Sequence, residues 1–418
     1  MKERKILLLF ISLLVTLFIV GCSGDSMSSK DSGGGKENSE GKEEILLWHY
    51  YTGSEEILVD LQEKFNESQD DIELNLEYIP FSDMKKQLAI GSAGDTLPDL
   101  IISDTVDNAS LASMGVLEDI TDRIDEWGQT DKFLKGPMDS TVFKGRNYGL
   151  PITSNALGLF YNKAKLEEAG ISEPPSNWNE LKESANKLTT ESQKGIGISA
   201  VKSEESTFQF YPFLYSAGGN YKELGDEKAI DALRLIDDLM EKGFMSQDVL
   251  NSTQDDLTRK FSAGEIGMMV NGPWIIDRLK EESPDLDFGI TPIPKNERFS
   301  SVLGGDNMAL IKDGNVDAAW KFMTWLLEPE QLEEFAVGTG YFPPRKDVLN
   351  QSDYWKNDEH LSEFIPIMET AEARGPSPEW PEISEAIQNA IQEALTDTKT
   401  PKEALEDAST KVQEITQE

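Results

Sequence analysis

Between Ile45 and Ser103 the chain changes its hydrophobic period four times, and this alternation restricts the fold more than any other feature. The run "ILLWHYY" (45–51) is continuously apolar, as in a strand buried on both faces. The stretch Glu55–Gln69 then places Ile57, Leu58, Leu61 and Phe65 at helical spacing. Next, "IELNLEYI" (72–79) alternates like a strand, Met84–Ile90 reads as a short helix, and "PDLIIS" (98–103) is a strand again. A β-α-β-α-β order calls for a largely parallel sheet with helices on both faces, because parallel neighbours need a crossover between them. Ligands of such sheets bind outside the carboxyl ends of the strands. Those ends are Trp48–Thr52 and Ser103–Thr105.

A second series of strands and helices follows "YGLPITSNALGLFYNK" (148–163). Asn177 to Glu180 predict a capping box, "GIGISA" (195–200) a strand, and Lys228–Lys242 a helix stopped by Gly243. In "FSAGEIGMMVNGPW" (261–274) a helix ends, Ile266–Val270 form a buried strand, and Gly272 and Pro273 turn the chain so that Trp274 stands at a strand-to-helix mouth. "VLGGDNMALI" (302–311) reads as one strand and Val316–Phe335 as one helix carrying Trp320, Met323, Leu327 and Phe335. Ile383, Ile387, Ile391 and Leu395 mark an amphipathic helix, and Thr400, Pro401 and Glu403 cap another. With 418 residues and no repeat of solenoid period, two α/β lobes are expected.

The first residues differ from all others. Lys2, Arg4 and Lys5 precede an apolar run, Ile6–Val20, that spans only ~22 Å as a helix, short of a ~30 Å hydrocarbon core. A signal peptide (1–21) is expected, and "IVGC" resembles the lipobox of bacterial lipoproteins, which would place a lipid on Cys22. Residues 22–44 are Ser, Gly and charge and read as a flexible tether, with the fold starting near Ile45. Cys22 is the chain's single cysteine, so no intrachain disulfide can form and the core must suffice. Lys plus Arg number 39 against 77 Asp plus Glu, a net charge of −38. Nucleic acid is a poor partner for such a surface.

Hydrolytic and metal motifs are missing: there is no G-x-S-x-G elbow, Walker A loop or H-E-x-x-H, and two histidines with one cysteine cannot build a usual zinc site. Aromatic residues beside Gly, Asn and Asp at strand ends stand out instead. A sugar offers C–H faces that stack on rings and a rim of hydroxyls that donate and accept, so its site needs Trp or Tyr platforms edged by carboxylate, amide or guanidinium groups. "WHYYTGSEE", "ISDT", "TSNA", "FQFYPF", "NGPW" and "GGDN" supply such mixtures. Each also has a plain reading. Trp48 lies inside a strand and could be core, Asp104 could cap the next segment, and Trp274 could be packing.

The order of these motifs resembles that of the extracellular solute-binding proteins of ABC sugar importers, the family that includes maltose-binding protein. The resemblance runs from about Ile45 to the C-terminus on "LWHYYTGSEE", "LPDLIISDT", "YGLPITSNALGLFYNK", "PPSNWNEL", "FSAGEIGMMVNGPW", "TWLLEPEQLEEF" and "WPEISEAIQNAIQEALTDTKTPKEALEDA". It implies a two-lobe, type II periplasmic-binding fold with a ligand cleft, lobe one being 45–153 and 302–340, lobe two 154–301 and 341–418. It further implies capture of a di- or oligosaccharide by hinge closure and delivery to an ABC permease, with no catalysis and no cofactor, by a monomer tethered outside the cell membrane through Cys22. Residue by residue, Trp48 and the following His49 to Thr52, with Tyr51 among them, match the first cleft loop and Asp104 a hydroxyl acceptor. Asn155 falls where relatives often carry an acid, Phe208 and Tyr211 match an aromatic subsite, and Trp274 the stacking platform. Gly304, Gly305 and Asp306 sit at a crossing near the cleft, and Arg345 and Arg374 are candidate rim donors. A surface glycoside hydrolase, or a binder of a cationic solute such as a polyamine, are the competing readings.

Overall fold

The computed structural model describes residues 41–51, 55–94, 96–375 and 377–416. The expected signal segment, Cys22 and most of the tether lie outside them. The first strand, Glu43–His49, begins two residues before Ile45.

Among the described residues, the first main sheet has the order Ile72–Tyr78, Glu43–His49, Leu100–Asp104, Asp306–Leu310, Leu150–Pro151. Its first three strands pair in parallel, with Ile45 opposite Leu74 and Leu47 opposite Leu100, and the last two join antiparallel. Successive side chains of a strand point to opposite faces, and both faces are covered. Leu47, Leu100 and Ile102 pack with Leu58, Leu61 and Phe65 of the helix Glu55–Ser68. Their strand neighbours Trp48 and Ile101 pack on the other face with Met84 and Leu88 of the helix Phe81–Gly94. The near-continuous apolar runs in the sequence are the result of this double burial.

A second sheet has the order Phe288–Thr291, Gly158–Asn162, Ile266–Asn271, Lys194–Gly197, antiparallel except for its last pair. It shares one apolar core with the helices Glu204–Ser216, Glu227–Glu241, Trp380–Leu395 and Pro401–Thr416.

Several expectations are corrected. Residues 302–311 form two strands: Ser301–Leu303 pairs with Ala371–Ala373, whereas Asp306–Leu310 enters the first sheet. The break falls at Gly305, whose φ of +139° is open to glycine alone. Val302 therefore belongs to the second core, although 302–340 is expected in lobe one. Conversely Val348, expected in lobe two, packs in the first core. The stretch 316–335 is two helices, Val316–Leu326 and Pro329–Thr339, because Pro329 lacks an N–H and takes the first position of a new helix. Asn177 caps its helix by accepting from the N–H groups of Asn179 and Glu180, but the Glu180 carboxylate accepts from Ser176 rather than Asn177. Reciprocal capping boxes form at Thr253 with Asp256 and at Thr400 with Glu403.

Between the sheets, three extended segments lie side by side. Ser154 and Phe342 exchange backbone hydrogen bonds of 2.8 and 3.0 Å, and Asn155 and Gly304 exchange bonds of 3.0 and 2.9 Å. A Cβ on Gly305 would lie 2.5 Å from the Thr153 carbonyl oxygen, so the crossing closes only around glycine. Gly305→Ala should cost about 3 kcal/mol or more in urea unfolding. Gly115→Ala, also at positive φ but with open space around the position, should cost about 1–2 kcal/mol. Equal losses would show that backbone conformation alone, not crowding at the crossing, fixes glycine at 305.

Candidate functional site

The carboxyl ends of the first-sheet strands and two helix starts of the second lobe face one cavity of about 570 Å³. Tyr50 and Tyr51 follow the strand Glu43–His49, Tyr78 ends the next strand, Phe81 opens the helix after it, and Asp104 ends the third. From the other side come Lys202 to Glu205 and Phe208 around the start of the helix Glu204–Ser216, and Thr253 to Asp255 at the start of Gln254–Ser262. Trp274 and Arg278 complete that wall, and the base is formed by Asn155, Gly304 to Asp306, and Tyr341.

Trp274 owes its position to its neighbour. A Cβ on Gly272 would lie 1.9 Å from the indole, so the ring folds over a backbone that carries no side chain. Pro273 then starts a short helical turn. The indole is half-buried, nearly parallel to Phe208 at 6.4 Å and 25°, and 5.8 Å from Tyr341. Tyr50 and Phe81 make an edge-on pair at 5.0 Å on the opposite wall.

The charges are arranged in two nodes. Arg374 is 4% exposed; it donates to both Asp104 carboxylate oxygens at 3.1 and 3.2 Å and to Glu204, and its guanidinium lies 4.3 Å over the Phe208 ring. Glu204 also accepts from Trp380 Nε1 at 3.1 Å and from Ser384 Oγ. One guanidinium thus joins a carboxylate of the first lobe to one of the second. In the other node the Asp306 carboxylate accepts from the hydroxyls of Tyr50, Tyr51 (2.7 Å) and Thr153 (2.8 Å). Burial pushes Asp306 up to about 6 against those three bonds, and it pushes Glu205, on the second wall, up to about 7. Arg278 pairs with Asp255 at 3.1 Å. Asn155 Oδ1, Gln254 Nε2 and Arg374 Nε are buried without a partner among the described residues. Arg278 Nη2, on another lining residue, is likewise buried without a partner among the described residues. Among the described residues no group of three His, Cys, Asp or Glu is placed to hold a metal ion.

Of the residues singled out in the sequence, the cavity brings together Tyr51, Asp104, Asn155, Phe208, Trp274, Gly304, Gly305, Asp306 and Arg374. Four lie elsewhere. Trp48 is inside the strand, so its side chain enters the helix layer and its Nε1 donates to Glu77 at 2.8 Å. His49 is 4% exposed and packs edge-on against Tyr78. Tyr211 is a turn deeper than the helix start that meets the cavity, and it packs edge-on against Tyr215 and Trp380. Arg345 is fully buried in the first lobe, with its guanidinium spent on Asp347 and the Leu327 carbonyl. Asp104 lines the cavity and also accepts from Val106 N–H at 3.2 Å, as in its capping reading. Tyr50, inside the expected cleft loop 49–52, also lines the cavity. Sequence reasoning missed Phe81, Tyr341 and Thr253 to Asp255; Tyr341 comes directly after Gly340, whose φ is +70°.

Residues 60–363 match the family described as bacterial extracellular solute-binding protein. The chain belongs to that family. A maltotriose-binding protein of Pyrococcus abyssi is 28% identical over 374 residues, which are 86% of this chain and 79% of that one. Among solved structures, maltose-bound MalE3 of T. maritima is similar with a TM-score of 0.83 at 26% identity, covering 89% of this chain and 99% of that chain. A solute-binding protein from Thermotoga lettingae, bound with α-D-tagatose, has a TM-score of 0.81 at 26% identity over 89% and 99% of the two chains. The two-lobe α/β architecture of this solute-binding protein is the type II periplasmic-binding fold.

The Asp306 node sets a pH signature. An unfolded aspartate titrates near 3.9, whereas the folded one titrates at about 6. Between these values the folded protein holds a proton that the unfolded chain has released. The group's contribution is therefore complete below about pH 4 and is lost as pH rises through 6. Relative to Asp306→Asn, the wild-type unfolding free energy should fall by about 2–3 kcal/mol between pH 4 and pH 7, read by urea titration at each pH. A difference between the two proteins that does not vary with pH would show that Asp306 titrates normally.

Proposed function

We propose that this solute-binding protein captures an oligosaccharide between its two lobes and passes it unchanged to the transmembrane subunits of an ABC importer, while a lipid on Cys22 holds it at the outer face of the cell membrane. One observation carries the reading: aromatic residues from both lobes, Tyr50 and Phe81 on one side and Trp274 and Phe208 on the other, line a cavity whose walls also carry unpartnered amide and guanidinium groups. Stacking surfaces combined with scattered hydrogen-bond groups suit a sugar, which is flat and apolar on its faces and polar at its edge. The names of the relatives support the same class, since they bind maltotriose, maltose or tagatose.

The position of the walls on both lobes supports binding by closure. A solute that touches both lobes binds the closed form better than the open one, and only this difference in affinity can shift the population. The carboxylates at the cavity are largely committed: Asp104 and Glu204 hold Arg374, Asp306 holds two tyrosines, and Asp255 holds Arg278. The competing hydrolase reading has Glu205 in its favour, since a carboxyl titrating at about 7 can donate a proton at neutral pH, but its carboxylate accepts from Gln254 N–H at 2.9 Å.

A thermal-shift screen over mono-, di- and oligosaccharides tests the reading, with putrescine and spermidine as cationic controls. Ligand at ~100 times Kd should add ~2.7 kcal/mol of apparent stability. Sugar cleaved during the incubation, or a shift with the amines alone, would replace the proposal. Trp274→Ala should weaken the bound saccharide at least tenfold by calorimetry, ~1.4 kcal/mol or more, with little change in melting temperature. Lost stability with unchanged affinity would make the indole a packing residue.

A further inference from the structure

Arg374 and Asp104 belong to different lobes. Arg374 follows the strand Ala371–Ala373, whose partner Ser301–Leu303 lies with the second core, and Asp104 ends a strand of the first sheet. One terminal nitrogen of the guanidinium donates to both Asp104 oxygens at 3.1 and 3.2 Å, and the other donates to Glu204 of the second lobe. The side chains of Arg374 and Asp104 are only 1% and 12% exposed, so water competes little for the contact. The bridge consists of protein atoms throughout and needs no solute to form.

Each half of the bridge is held in place by its own lobe. On the second-lobe side Trp380 Nε1 donates to Glu204 at 3.1 Å, and the Phe208 ring lies 4.3 Å beneath the guanidinium. On the first-lobe side Asp104 accepts from Thr105 Oγ1 at 3.1 Å and from Val106 N–H at 3.2 Å. If the lobes part, Arg374 keeps Glu204 and Asp104 keeps its local donors. Neither half is then stranded as a bare buried charge, the outcome that makes rupture of an ordinary buried pair so costly. The contact can therefore be broken and remade. It also lies close to the crossing, since Asp104 is paired with Asp306, next to Gly305, and a Cβ on Gly304 would stand 2.9 Å from the Phe208 ring. Hydrogen bonds weaken steeply with length and angle, so even a small rotation at this place breaks the bridge.

We propose that Arg374, Asp104 and Glu204 form a reversible clasp that draws the lobes together before any solute arrives, and so sets the resting balance between open and closed forms. Apparent affinity scales with the fraction of molecules in the binding-competent form, and the clasp raises the closed fraction. It acts on affinity through the lobes, apart from any contact with solute. It also slows solute entry, because the bridge must part before the cavity opens. The clasp goes beyond the saccharide reading and does not depend on it, since it works in the protein alone.

The test measures the distance between the lobes by electron paramagnetic resonance, with no solute added. Spin labels go on Lys86→Cys and Glu382→Cys, exposed positions beside the gap on the helices Phe81–Gly94 and Trp380–Leu395, in the full chain with its single native cysteine changed by Cys22→Ser. The labelled protein with the bridge intact should show a major population at the separation of the present structure. Asp104→Ala removes the first-lobe half and leaves Arg374 on Glu204; it should lower the closed-to-open ratio about tenfold or more. Arg374→Lys keeps a cation for Glu204 but cannot fork to both Asp104 oxygens, so it should shift the ratio the same way by a smaller factor, and it serves if Asp104→Ala does not fold. Ser103→Ala, one residue away and outside the bridge, should leave the distances unchanged. Distances in both bridge variants that match those of the intact bridge, or an intact-bridge protein found only at longer separations, would overturn the clasp. Either result would leave the saccharide reading standing, because no sugar enters the measurement.

Discussion

Asp306 is the point at which hinge, sheet and cavity meet. Its backbone N–H donates to Thr153 Oγ1, its carbonyl accepts from Ile152, and its side chain accepts from Tyr50, Tyr51 and Thr153. A buried carboxylate is tolerated only when its lone pairs are used. The tyrosines therefore have fixed hydroxyls, and with them fixed rings on the first wall. The same residue begins the strand that pairs with Leu100–Asp104, so the crossing, the sheet and the ring positions are set together.

Arg374 complements this node from the other lobe. It reaches Asp104 across the gap while Glu204, Trp380 and Ser384 hold the network behind it. A buried ion pair need not stabilise a fold by itself, because desolvation opposes the attraction. Across two lobes it has a further consequence: it ties a carboxylate of the first lobe to the second without touching any solute.

The alternation of periods in the first third of the chain was enough to read a parallel sheet with helices on both faces, because burial on two sides writes itself as long apolar runs. Gly-Pro after a buried strand placed Trp274 at a strand-to-helix mouth, but local spacing left packing and ligand contact both open, and only the motif order pointed the ring to the cleft. Other site residues were legible only in part. Asn155, Gly304 and Arg374 came from the motif order, while Tyr211 and Arg345 were misplaced, because helix depth and side-chain partners are decided by tertiary packing. Tyr341 carried no spacing signal, and the Thr253-to-Asp256 capping pattern marks only a helix start; both reach the cavity through elements far apart in sequence. The split of 302–311 at Gly304 and Gly305 was read through because the apolar stretches on either side, 302–303 and 308–311, suit a strand, although Gly-Gly before Asp306 and Asn307 is a turn signal.

The three segments bonded side by side between the sheets restrict how the lobes can move. Adjacent straps at Ser154, Gly304 and Phe342, bonded to one another, resist torsion between the lobes more than a single strand would. A protease cut in any one strap would leave the lobes joined by the other two.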